Sequence, residues 1–135
     1  MIRKGTYVLR ICLGTDTEIQ VGALGTLFFE KGIYCYVGSA MGGLDQRLRR
    51  HLSKDKRMKW HIDYLTMAVD SVSAFESYPQ FIPECDLAHM CLDVGMTGMH
   101  KGFGCSDCRC LTHLFKATDE ELANLIKAAR LSPFE

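Results

Sequence analysis

The stretch Tyr36-Val37-Gly38-Ser39-Ala40, continued by Leu44, Arg47, Leu48 and His51, decides how this chain is read. Ahead of it stands Gly32-Ile33-Tyr34-Cys35, which completes an apolar, β-branched run suited to a central strand. After Gly43 the period changes. Leu44, Leu48 and Leu52 recur every four positions, the spacing of one helical face. A strand therefore ends near Gly38 and passes through a glycine turn into a short basic helix. Arg47 and His51, also four apart, share a neighbouring face of that helix. A tyrosine at the strand end and an arginine one turn inside the helix then converge on one point, an arrangement suited to holding a phosphate.

Working outward, residues 4–13 are rich in strand formers, and residues 17–22 and 25–30 supply two further short strand patterns. The N-terminal third reads as a small, mostly antiparallel sheet with turns at Gly14, Gly22, Gly25 and Gly32. Residues 60–65 form a short helix or a turn, and residues 70–77 form another strand. Pro83-Glu84 opens a helix through Leu92, because proline suits the first turn and an acid suits its positive end. Gly102-Phe103-Gly104-Cys105 is a turn. Thr118-x-x-Glu121 is a capping-box pattern that starts a last helix, running to about Arg130 and burying Leu122, Leu125 and Ile126. The expected fold is α/β (α+β): one domain over residues 1–135, a small mainly antiparallel sheet flanked by helices.

Composition sets bounds on function. Apolar residues make up 47% and charged residues 24% of 135 positions, enough to build a single core. Sixteen basic and sixteen acidic residues cancel, so bulk charge points to no partner. Its distribution does: Arg47, Arg49, Arg50, Lys54, Lys56, Arg57 and Lys59 face a single acid, Asp55, in that window. Such a run is either a solvated surface or a footprint for a polyanion. No apolar run is long enough to span a membrane and no secretory signal pattern is present, so no membrane partner is expected. Seven cysteines without an export signal read as reduced thiols in a cytoplasmic setting.

Cutting a phosphodiester requires an activated water, stabilisation of charge on the phosphoryl oxygens, and help for the leaving oxygen. An arginine grips non-bridging oxygens with its planar fork, a carboxylate holds a divalent metal, and a tyrosine or histidine manages the water and its protons. Taken singly these residues are ordinary. Tyr7 and Tyr36 would be core aromatics, Arg47 and His51 a helix surface, and Glu84 a helix-start acid. Their joint spacing is what carries a functional reading.

Gly5-Thr6-Tyr7 on one strand and Tyr36-Val37-Gly38 on another resemble the two signatures of the GIY-YIG nuclease superfamily. Tyr-Val-Gly-x-Ala-x-x-x-Leu-x-x-Arg-x-x-x-His resembles its strand-to-helix segment. Gly32-Ile33-Tyr34 spells the first signature literally, but it shares a strand with Tyr36, whereas the superfamily sets its tyrosines on adjacent strands of a hairpin. The resemblance implies that Tyr7 assists water activation, Tyr36 stands beside the scissile phosphate, and Arg47 contacts it. His51 would transfer protons and Glu84 would bind Mg²⁺ or Mn²⁺. Ser39, Arg49, Arg50, Lys54, Lys56 and Arg57 would contact flanking nucleic acid, with Lys59 beside them. Ser39 stands where many relatives carry lysine, and residues 8–35 between the signatures exceed the usual hairpin, which makes the intervening strands an insertion.

The chain is more similar still to the branch of that superfamily termed domain of unknown function 123. The similarity rests on Gly38-Ser39-Ala40, Trp60-His61-Ile62-Asp63-Tyr64, Glu84-Cys85, and residues 102–110 followed by His113-Leu114-Phe115. Some members of that branch are fused to endonuclease III-type repair glycosylases, which implies DNA as substrate.

Cys105-x-x-Cys108-x-Cys110-x-x-His113 has the residue types of a zinc site, and Cys85, His89, Cys91 or His100 would complete it through folding. The alternative is a turn of small buried residues. Three functions follow: a metal-dependent endonuclease-like domain acting on DNA, a non-catalytic nucleic-acid-binding module, or a zinc-binding structural or redox protein.

Overall fold

The computed structural model describes residues 2–105 and 110–134. Its main sheet has six strands in the order β6-β7-β4-β1-β5-β8, every neighbouring pair antiparallel. These are β1 (Gly5–Leu13), β4 (Gly32–Ala40), β5 (Ser71–Ser77), β6 (Thr97–Gly98), β7 (Leu114–Ala117) and β8 (Ser132–Pro133). A separate two-stranded pair, β2 (Thr17–Gln20) with β3 (Thr26–Phe29), rises between β1 and β4. Four α-helices, α1 (Leu44–Leu52), α2 (His61–Ala68), α3 (Glu84–Asp93) and α4 (Asp119–Ala129), and one 3-10 turn at Gly22–Leu24 are found among the described residues. The expected mixed domain with an antiparallel sheet is what forms. It differs from expectation in extent: β2 and β3 stand outside the main sheet, which instead recruits β5 to β8 from the rest of the chain.

Strand periodicity explains how helices cover both faces. Tyr7, Leu9, Ile11 and Leu13 alternate on β1, and Tyr34 and Tyr36 on β4, toward a core shared with Leu44, Leu48, Ile62, Leu65 and Phe103. The interleaved Val8, Cys35 and Val37 point the other way, into a core with Leu87, Cys91, Phe115, Leu122 and Leu125. Helices α1 and α2 thus lie on one face and α3 and α4 on the other. Burying each of these large side chains contributes about 2 kcal/mol.

The register sets up the site. β1 and β4 pair continuously from Gly5 opposite Ala40 to Leu13 opposite Gly32, placing Tyr7 across from Gly38 and Leu9 across from Tyr36. The two tyrosines therefore project from adjacent strands onto the same face.

Helix α1 departs from the expected leucine stripe. Leu52 is 37% exposed, while His51 is 1% exposed and joins Leu44 and Leu48 inside. At 100° per residue, eight positions overshoot a face by about 80° whereas seven miss it by about 20°. The buried line is accordingly 44, 48, 51. Helix α4 starts on Thr118 as its capping box requires, the hydroxyl accepting from Glu121 N at 3.1 Å and the Glu121 carboxylate accepting from Thr118 N at 3.0 Å.

Candidate functional site

A cleft of about 460 Å³ opens where β1, β4, α1 and α3 meet, lined by Tyr7, Tyr36, Gly38, Ser39, Arg47, His51, Trp60, Glu84, Cys85 and Gly104. The structure thus gathers Tyr7, Tyr36, Arg47, His51 and Glu84 around one space. Tyr34, of the literal Gly-Ile-Tyr, lies elsewhere: it is fully buried and donates to Glu30 O at 2.7 Å.

Glycines set the depth of the cleft. A Cβ on Gly38 would overlap the Tyr7 phenol, so that ring can lie flat across its partner strand only because position 38 has no side chain. Gly104, with φ +73°, does the same for Tyr36: a Cβ there would fall 2.8 Å from Cε1 of the Tyr36 ring. His61 fixes this turn, its Nδ1 accepting from Gly104 N at 3.2 Å.

Tyr7 OH lies 2.7 Å from Nε2 of His51. Burial pushes both tyrosines above the usual phenol range, although the Arg47 guanidinium pulls Tyr7 the other way. Both phenols are therefore neutral. Burial, reinforced by the positive charge of Lys56, pulls His51 down to about 3, so its imidazole is neutral as well. The Tyr7–His51 contact is a neutral–neutral hydrogen bond whose donor is set by the tautomer of the imidazole.

Arg47 is held by two contacts at its guanidinium. It donates to Ser39 O at 2.8 Å, and its guanidinium lies 4.5 Å from the centre of the Trp60 ring. Arg50 stacks on the same ring at 4.4 Å and Lys59 at 4.8 Å. Trp60 is a platform that the sequence reading left unassigned.

Glu84 opens α3, where the helix dipole favours an anion. Its oxygen lies 2.7 Å from Nδ1 of the fully buried His113. Partial burial works against its charge, but the nearby His113 and Ser39 side chains and the charge of Arg47 outweigh it and hold the carboxyl below its ordinary range. Glu84 is thus an anion facing the cleft. Thr6 anchors the approach to α3 by donating to Ile82 O at 2.7 Å.

The basic run divides in two. Arg50 grips the buried Asp63 through both carboxylate oxygens at 2.8 Å. Lys56, 4% exposed at its side chain, donates to Arg50 O, His51 O and Thr66 Oγ1 at 2.9–3.1 Å. Lys54 donates to Thr66 O and Val69 O. These three charges join α1 to α2 and the loop between them. Arg49, Arg57 and Lys59 are exposed, and Ser39 lines the cleft. Asp63 also accepts from Lys59 N and Trp60 N at 2.8 and 2.9 Å, which settles its role as a structural hub.

The cysteine pattern is rearranged. Ligand atoms of Cys85, Cys110 and His113 lie within 4.8 Å of one another. Among the described residues Cys105 is not in that group; its sulfur lies 3.6 Å from Phe103 O. Cys108 is outside the described residues. Of the four residues expected to complete the set through folding, Cys85 is the one that arrives, from α3.

Among the described residues no helix is long and apolar enough to cross a membrane. A family model described as "Domain of unknown function DUF123" matches residues 6–132. No curated protein and no solved structure matches the chain.

Proposed function

The chain therefore belongs to the DUF123 family, and we propose that it is a metal-dependent endonuclease-like domain of the GIY-YIG type that hydrolyses phosphodiester bonds in DNA. One observation carries this reading: Tyr7, Tyr36, Arg47, His51 and Glu84, drawn from four elements, line a single cleft of about 460 Å³. The resemblance of the two tyrosine segments to that superfamily supplies the reaction type, and the fusions known in the branch favour a repair-linked substrate.

The residues fit the metal that the resemblance implies. An ionised carboxylate, 29% exposed at its side chain and facing a polar cleft, is the hard oxygen ligand from which Mg²⁺ or Mn²⁺ is held alongside water and phosphate oxygens. Glu84 would hold it, and the ion would supply charge stabilisation on the phosphoryl oxygens. Arg47, kept straight by Ser39 and Trp60, offers its fork to a non-bridging oxygen. Tyr36 donates a hydrogen bond to the phosphate or to the attacking water. Tyr7 takes a proton from that water while passing its own to Nε2 of His51. The oxygen–phosphorus bond forms as the bond to the leaving sugar oxygen breaks, and that oxygen departs as an alkoxide that takes its proton from solvent. The phosphate's own negative charge offsets the cations that hold His51 neutral, which makes the imidazole a better acceptor when substrate is bound.

The test is cleavage of labelled DNA and RNA structures with Mg²⁺ or Mn²⁺. Wild type should cut, and Glu84→Ala and Arg47→Ala should each lose at least about 100-fold in rate. Binding without cutting by wild type would replace this reading with that of a binding module.

A further inference from the structure

Cys85 is the second residue of α3, while Cys110 and His113 precede β7, so their approach is a product of the fold. Two sulfurs and an imidazole nitrogen, all within 4.8 Å, form a soft, nitrogen-containing ligand set. A tetrahedral zinc-class ion places its ligand atoms about 3.3–3.8 Å apart, so a contraction of roughly an ångström would close this set around one. Hard cations such as Mg²⁺ do not select thiolates, which separates this cluster chemically from the role given to Glu84. Cys85 is a free thiol. Cys85 lines the cleft and Cys110 lines a neighbouring groove, which places the cluster in the wall between them.

We propose that Cys85, Cys110 and His113 bind a thiophilic divalent metal of the zinc class. Its place gives it a purpose. Cys85 follows Glu84 in the chain, and His113 stands 2.7 Å from the Glu84 carboxylate. One ion would fix the start of α3 to the segment entering β7 and so hold the carboxylate from two sides. The ion is a positioning device, separate from the phosphate-side metal.

The experiment measures metal in the protein directly, with no nucleic acid present. Protein purified under reducing conditions, loaded with Zn²⁺ and dialysed, should retain about one equivalent by elemental analysis. Titration with Co²⁺ should give the near-ultraviolet charge-transfer band of thiolate ligation and the visible bands of tetrahedral cobalt. Cys85→Ser and Cys110→Ser should each lose most of the bound metal and weaken the thiolate band, whereas Cys12→Ser, on β1, should behave as wild type. The proposal is overturned if wild type keeps no metal and shows no thiolate band, or if either cluster variant binds as wild type does. The cobalt spectrum of wild type stands even if a variant fails to fold. Stoichiometric metal in a protein that cuts nothing would uphold this site while removing the nuclease reading.

Discussion

At the scale of single residues, the site depends on side chains that have no chemistry of their own. Gly38 and Gly104 admit the two phenols, and Trp60 carries Arg47. Gly38→Ala should displace the Tyr7 ring, costing about 1–3 kcal/mol in stability, measurable by urea denaturation, and lowering activity with it. Trp60→Ala should reduce cleavage more than Trp60→Phe, which retains an aromatic face for the guanidinium. His51 gives a pH signature. Its folded value is about 3 against an ordinary 6.5, so as pH falls the unfolded chain takes up a proton that the folded one refuses. Stability is complete above the ordinary value and falls by about 1.4 kcal/mol per pH unit below it. Glu84 and Asp63 are also held low, but their losses begin only at the ordinary carboxylate values of 4.5 and 3.8. The interval from about 4.5 to 6.5 therefore reports His51 among these three, and His51→Gln should flatten the stability slope there.

At the scale of elements, β1 and β4 were legible as runs of strand formers, α1 from its leucine spacing, and α3 and α4 from the signals at their starts. The two-residue strands β6 and β8 were not legible, since so few positions have no period to read. β7 was hidden as well: Leu114-Phe115 is too short an apolar run to separate from its surroundings until Cys35 and Tyr36 pair with it. The charge run from Arg47 to Lys59 misled in a different way. Sequence gives the sign of a charge but not its partner, and Arg50, Lys54 and Lys56 spend theirs on Asp63 and on backbone carbonyls. Asp63→Ala would strand Arg50 beside a buried void and should destabilise the protein by about 3–5 kcal/mol in thermal or urea unfolding. Cys85 and Trp60 illustrate the same limit, because their importance arises from neighbours distant in sequence.

For the whole molecule, zero net charge means that the nucleic-acid binding we propose would rest on a local field. Arg49 and Arg57 remain exposed, as does Lys59, which packs on Trp60 at the cleft wall. Arg49→Ala and Arg57→Ala should each lower the salt dependence of DNA binding by about one unit of log–log slope, with little change in stability. Lys56→Ala should do the reverse, weakening the fold without a specific change in that slope. Titrating labelled duplex at several salt concentrations separates the two classes; equal slopes for all three variants would remove the exposed arginines from the interface.

The strand order has a consequence for synthesis. β1, near the start of the chain, lies inside the sheet between β4 and β5, and the free edge of β4 is closed only by β7. On a translating ribosome, Tyr7, Tyr36, Arg47 and His51 can meet once β1 to α1 have emerged. Glu84 and its companion His113 must wait for later residues, and until Leu114–Ala117 appears a long apolar strand offers its backbone to any passing chain. The nascent protein would hold the phenols and the arginine before the acid, and slowing translation ahead of β7 should raise the aggregated fraction more than slowing it after α4.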